Sequence, residues 1–180
     1  MILGINEVRK KIISANLITN LAKRELNNPE GTIIDLRLDK LYELKGDGYL
    51  GIKERKTPKT IEVATYDPDN LTKYIVKPGE YLLSKTVEEV NLPHNVGAIF
   101  KPRSTLFRSG VFFRSGFANP GYKGALYFGI YNAGGNNFTF EMGARYCSII
   151  FLEIKGKIEN LYRGQWQGGR AYAEKLEKQI

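Results

Sequence analysis

Arg103, Ser104, Thr105 and Arg108 lie close together in Pro102-Arg103-Ser104-Thr105-Leu106-Phe107-Arg108-Ser109-Gly110. An arginine fork beside hydroxyls and the free N–H groups of a turn is the donor set that a phosphate requires. Further along, Gly116, Gly121 and Gly124 surround Pro120-Gly121. Missing Cβ atoms let a flat base approach the main chain, whose N–H and C=O groups then read it. Tyr122 follows the turn and has two readings: a ring stacked under a sugar, or a core or rim aromatic. Over Lys101–Phe151 these features imply a pocket for a nucleoside triphosphate.

The elements that must position these groups are mostly strands. Gly31–Leu44 alternates Ile34, Leu36 and Leu38 against Asp35, Arg37 and Asp39, the pattern of a half-buried strand. Asp35 falls on its polar face, either as a solvated charge or as a group orienting a metal-bound water or a pocket arginine. Short strands are expected over Thr60–Ala64, on both sides of Lys77-Pro78-Gly79-Glu80, and over Val96–Phe100. Val111–Phe113 and Ala125–Tyr131 are expected to form a hairpin with a tight turn at Pro120-Gly121. Asn136–Phe140 and Arg145–Ile154 complete the set. The spacing of Ile2, Ile5, Val8, Ile12 and Ile13 predicts a short helix over about 5–14, capped by Asn6. Lys45–Pro58 reads as a long loop or exposed hairpin with no assignable role. Residues 155–170 contain Tyr162-Arg163-Gly164-Gln165-Trp166-Gln167, an arm that closes over something, and 171–180 reads as a polar tail with weak helical character.

Composition bounds the chemistry. The 180 residues are 42% hydrophobic and 26% charged, which suits one globular β-rich domain over 1–170. One cysteine, Cys147, excludes an intrachain disulfide and fits a reducing cytoplasm; its apolar neighbours make it a buried small residue. The one histidine, His94, sits in a turn-like Leu92-Pro93-His94-Asn95. These counts exclude a zinc deaminase centre, so any metal is expected to be Mg²⁺ held through substrate phosphates rather than by protein ligands. No apolar run approaches a membrane span, and Met1–Ser14 does not read as a signal peptide. A net charge of +8 suits either nucleic acid or a small polyanion; scattered basic residues and the lack of a nucleic-acid motif favour the polyanion.

In this order the segments resemble the trimeric dUTPase and dCTP deaminase superfamily. GTIIDLRL is similar to its first motif, with Asp35 at the acidic position. PRSTLFRSG is similar to the second, with Arg103, Ser104 and Arg108 at phosphate-binding positions. GFANPGYKG is similar to the third, with Tyr122 at the deoxyribose. GARYCSIIF is similar to the fourth, although Ser148 replaces a phosphate-binding glutamine. YRGQWQGGR resembles the lid of the deaminase-like branch, in which Tyr162, Arg163, Trp166 and Gln167 would close the site. The resemblance implies a mainly β, distorted jelly-roll or β-clip barrel assembled as a homotrimer, with sites between subunits. It also implies dUTP diphosphatase activity, giving dUMP and pyrophosphate with Mg²⁺, with a non-hydrolysing deoxynucleotide-binding protein or a dCTP deaminase as alternatives.

Two departures bear on the chemistry. Deaminases of this superfamily carry a proton-shuttling glutamate on the strand after the third motif, and that position is Gly129 here. The dUTPases carry an aspartate in the third motif, and that position is Asn119. An amide accepts a hydrogen bond but is no general base near neutral pH. Either metal and phosphate positioning suffices, or another carboxylate such as Asp35 or Glu141 takes over, or the protein binds without turnover.

Overall fold

A computed structural model describes residues 1–179. In chain order the elements are α1 (Ile5–Ala15), β1 (Ile18–Thr19), α2 (Lys23–Asn27), β2 (Ile34–Lys45), β3 (Tyr49–Leu50), β4 (Glu54–Lys56), β5 (Lys59–Thr65), β6 (Lys73–Val76), β7 (Tyr81–Asn91), β8 (Val96–Pro102), α3 (Ser104–Arg108), β9 (Val111–Arg114), β10 (Lys123–Asn132), β11 (Phe138–Glu141), β12 (Arg145–Glu153) and β13 (Glu177–Lys178). The main sheet runs β8-β12-β2-β7-β10-β9, with β5 added on β2 and β1 on β7. Its two ends come together where Ala98 and Ala118 exchange N–H···O bonds of 3.0 and 2.9 Å. The sheet is thereby almost closed into a barrel, which removes most exposed edges.

Period-two alternation fills the interior. Along β7, Leu82, Ser84, Thr86, Glu88 and Val90 are buried, and along β10 Leu126, Phe128 and Ile130 face them. Polar groups inside are paired. Ser84 Oγ meets Phe128 O at 3.0 Å and Tyr146 OH at 3.1 Å. At the bulge between Ala125 and Tyr127, Thr86 Oγ1 accepts the Leu126 N–H at 3.0 Å, standing in for a ladder bond. Cys147 is fully buried, and burial pushes its thiol well above the ordinary value; His94 is exposed in a turn.

Several expectations are corrected. Helix α1 begins at Ile5 as expected, but with Gly4 rather than Asn6 at the cap position. The polar segment after Leu21 holds the short helix α2, whose Glu25 is buried. Asp35 is not on a solvated face: it is 4% exposed, because β12 and α2 cover that side of β2. Among the described residues 171–179 the tail is not helical. Strand β13 pairs antiparallel with β4, and β4 pairs with β3, so the 45–58 segment is a hairpin joined to the C-terminal segment.

Candidate functional site

Most of the residues singled out above divide between two cavities that share no lining residue. The first, about 410 Å³, is largely apolar and is lined by Gly116, Phe117, Asn119, Tyr122, Tyr162 and Trp166, with further walls from β2, β7, β10 and the 57–58 turn. The turn at Pro120-Gly121 sets its shape. Gly121 has φ +87°, which a Cβ disfavours, and its N–H bonds Leu92 O at 2.9 Å. Tyr122 is 8% exposed, its hydroxyl donates to Ala125 O at 2.5 Å, and Tyr162 packs edge-on with ring centroids 5.4 Å apart. Burial raises the Tyr122 phenol above its ordinary value, so it stays neutral. Asn119 is exposed at the rim, and its carbonyl accepts the Tyr122 N–H at 3.1 Å.

The arm is seated on this turn in the same chain. Tyr162 N–H bonds Pro120 O at 2.8 Å, and Gly168 N–H bonds Lys123 O at 2.9 Å. Gln167 does not face the cavity: its amide donates to Gly121 O at 2.9 Å and accepts the Lys123 N–H at 2.9 Å. Arg163 is exposed and bonds Asn160 Oδ1 at 2.9 Å, outside the cavity. The seat depends on Gly124, where φ is +121° and an added Cβ would lie 2.6 Å from Gly168 C and 2.7 Å from Gly169 N. Gly124→Ala is therefore expected to push the arm off the turn. Trp166 emission, measured without ligand, should shift to longer wavelength while the far-ultraviolet circular dichroism of the barrel is retained.

The second cavity, about 370 Å³, is polar and is lined by Asp35, Lys101, Arg103, Ser104 and Ser148 together with Arg24, Glu25 and Glu30. Register places Ser148 opposite Asp35, and Ser148 Oγ donates to Asp35 Oδ1 at 2.7 Å. Asp35 Oδ2 takes Arg103 Nη1 and, at 2.9 Å, Arg145 Nη1. Buried Glu25 accepts the Asp35 N–H at 3.1 Å and Arg24 Nη1 at 2.5 Å. Asp35 thus orients arginines, one of its two sequence-based readings. With every one of these bonds made, its carboxylate is poorly placed to take a proton from water. Ser148 is turned to Asp35 and not to the cavity's open side. Thr105 and Arg108 are exposed and line neither cavity.

Sequence reasoning missed Arg24, Glu25 and Lys101 in the polar cavity, Arg145 bonded to its Asp35, and Thr57, Phe117 and Arg170 in the apolar one. Arg145 was open to detection, since it begins the strand that carries Ser148. Glu25 was not, because a buried glutamate in a polar five-residue helix leaves no periodic signal.

The position of Gly129 is also resolved. An added Cβ there would collide with the Tyr81 hydroxyl and lie 3.3 Å from Arg114 Cβ. The Tyr81 ring fills the space over Gly129, so an acidic side chain fits only if that ring swings away. None of the side chains lining the apolar cavity is acidic.

A family model described as dCTP deaminase-like matches residues 2–154. The chain is 30% identical over 175 residues to a deoxyuridine 5′-triphosphate nucleotidohydrolase of Methanocaldococcus jannaschii, covering 92% of this chain and 100% of the relative. It is 33% identical over 114 residues to a dCTP deaminase of Pyrococcus furiosus, covering 63% of this chain and 73% of the relative. Among solved structures, the 2′-deoxycytidine 5′-triphosphate deaminase from Agrobacterium tumefaciens superposes with a TM-score of 0.60 at 19% identity. The superposition covers 83% of this chain but only 46% of that longer one, and at this identity it speaks for the fold alone.

Proposed function

The chain belongs to the dCTP deaminase-like family, and from that premise we propose that it is a dUTP diphosphatase, converting dUTP to dUMP and pyrophosphate with Mg²⁺. Relatives carry both activities by name, and one observation separates them: Gly129, covered by Tyr81, leaves no carboxyl beside the base pocket for attack on a cytosine ring. Phosphoanhydride hydrolysis makes no such demand, since positioning and charge neutralisation supply most of its catalysis.

In this reading the apolar cavity holds the deoxynucleoside. Main-chain groups of 116–122 read uracil, Tyr122 supports the deoxyribose, and Tyr162 and Trp166 keep bulk water out. Arg103 and Ser104, with Arg108 on the adjoining helix, hold phosphates. The two cavities share no lining residue within one chain; in this reading a homotrimer sets the polar cavity of one copy beside the apolar cavity of another. Mg²⁺ would be held mainly through the nucleotide's phosphates rather than by a set of protein ligands. Arg103 and Arg145 would balance the remaining phosphate charge.

A second reading rests on a specific observation. No acidic side chain lines the apolar cavity, and Asp35 is fully engaged; both favour a deoxynucleotide-binding protein without turnover. Purified protein with Mg²⁺ and dUTP or dCTP separates the alternatives. Pyrophosphate from dUTP with no ammonia from dCTP is expected. Ammonia from dCTP sinks the Gly129 argument, and tight dUTP binding with neither product establishes the second reading.

A further inference from the structure

Helix α2 carries no motif, and five mostly polar residues with no side-chain cap do not hold a helix by themselves. Two side-chain contacts fix it. Arg9 of α1 donates from Nη2 to Leu26 O at 3.1 Å and to Asn27 O at 3.2 Å, meeting carbonyls at its C-terminal end. Glu25, 2% exposed, turns into the barrel wall, where Oε2 accepts the Asp35 N–H at 3.1 Å. A buried carboxylate needs a charged partner, and Glu25 Oε1 has Arg24 Nη1 at 2.5 Å and Arg145 Nη1 at 3.5 Å. The pairing brings the Arg24 guanidinium to the polar cavity, 3.8 Å from Asp35 Oδ2.

Three guanidiniums therefore converge on two buried carboxylates. Asp35 Oδ2 bonds Arg103 and Arg145, and Glu25 Oε1 bonds Arg24. The three arginine side chains are between 34% and 40% exposed. Each spends one Nη on the carboxylates, and among the described residues their Nε and Nη2 groups donate no hydrogen bond. The carboxylates anchor the guanidiniums on the buried side, and the remaining donors face water, where the oxygens of an anion can accept them. One positive charge is left beyond those that the two carboxylates neutralise, and Lys101 lines the same cavity. Its remaining acid, Glu30, has a side chain 81% exposed and 3.8 Å from Arg24 Nη2, so solvent screens it and an arriving anion can displace it.

We propose that α2 is part of the phosphate site: Arg24 binds the polyphosphate chain of the substrate alongside Arg103, and Glu25 is the positioning residue that holds Arg24 there. That the polyphosphate belongs to a nucleotide rests on the dUTP reading; its recognition by these arginines does not. Glu25 acts through Arg24 because the other acidic neighbours of Arg24, Asp35 and Glu30, both stand 3.8 Å away. With Glu25 uncharged, three guanidiniums share Asp35 alone, and their mutual repulsion turns Arg24, the one that Asp35 does not bond, out to water.

Isothermal titration of the full chain with inorganic tripolyphosphate, which has phosphates but no base, and with hydrolysis-resistant α,β-imido-dUTP tests this. Arg24→Gln should weaken both by about ten-fold, the scale of one lost charge-assisted contact. Lys23→Gln removes the same charge from the adjoining exposed position of α2, outside the cavity, and should change either affinity by less than about two-fold. Glu25→Gln adds a positive charge to the cavity wall, so a general charge effect tightens polyphosphate binding, whereas loss of the Arg24 position weakens it. A weakening of about five-fold is expected, and in the Arg24→Gln background the same substitution should add less than about two-fold. If Glu25→Gln does not fold, Glu25→Asp, which keeps the charge and shortens its reach by one methylene, takes its place with the same expected losses. No loss in Arg24→Gln, or an equal loss in Lys23→Gln, overturns the Arg24 contact. Unchanged or tighter binding on changing Glu25, or a full further loss in the Arg24→Gln background, overturns the positioning role. Tripolyphosphate binding that depends on Arg24, with no binding of the nucleotide to any form, overturns the dUTP reading and leaves the phosphate contact standing. An unsubstituted protein that binds neither compound overturns both.

Discussion

Asn119→Asp raises the kcat for dUTP by about a hundred-fold, the lower end of the range for a positioned general base, with KM little changed. Asn119 stands at the rim of the apolar cavity, whose lining contains no acid. Asp35, one substitute suggested by the sequence, holds Arg103, Arg145 and Ser148 and would have to surrender those bonds to take a proton. Asparagine and aspartate are nearly isosteric, and the fold uses the Asn119 carbonyl, not its side chain, to receive the Tyr122 N–H. The substitution therefore adds basicity without disturbing the turn, and it acts on kcat rather than binding. Steady-state pyrophosphate release across a dUTP series measures both constants. An unchanged or lower kcat would show that Asn119 is not standing where a base is missing.

The parts of this site that were legible in the sequence share one property: backbone chemistry local enough to fix a turn or a strand. Pro120-Gly121, with Gly121 at φ +87°, forms the turn that places Tyr122 under the cavity, and alternation located β2 and β10 with small errors at their ends. Asp35 was placed on the polar face of its strand, but alternation reports polarity and treats polar as exposed, so its burial was not legible. Here the polar side of β2 is covered by α2 and β12, and the carboxylate is satisfied by Arg103, Arg145 and Ser148. Only tertiary register brings those partners together, and no local pattern encodes it. The tail failed for a related reason. Ala171–Ile180 is rich in Ala, Glu, Lys and Leu, good helix formers in isolation, but through Glu177 the segment pairs with Arg55 across more than a hundred residues of chain. A two-residue strand has no periodicity to read, and pairing context overrides propensity.

Glu88 is the other group that alternation misjudges, and it supports the largest stability effect expected here. Its side chain is fully buried among apolar strands, yet Oε2 accepts the Arg37 N–H at 2.7 Å and Oε1 accepts Arg37 Nε at 2.8 Å. Arg37 also donates to Asn20 O, so the pair ties β2, β7 and the segment after β1 together two residues from Asp35. Burial raises the Glu88 carboxyl above its ordinary value, and Arg37 opposes that rise. A carboxyl whose folded value lies above its unfolded one gives its full stability below the unfolded value of 4.5 and loses it as pH climbs through the folded value. Without Arg37 the folded value climbs further and the loss at alkaline pH grows. Arg37→Met should therefore cost about 3–5 kcal/mol at pH 8, a fall of roughly 10 °C or more in Tm for a chain of this size. Near pH 5, where the orphaned carboxyl takes up its proton, the cost should be distinctly smaller. Replacing both partners by methionine removes the buried charge, and that variant should recover most of the loss with little pH dependence. Thermal melts of the three proteins at pH 5 and pH 8 test this. A loss below about 1 kcal/mol at both values, or a larger one at pH 5 than at pH 8, would mean that the pair does not act as a buried ion pair and that β2 is held in register by its apolar face alone.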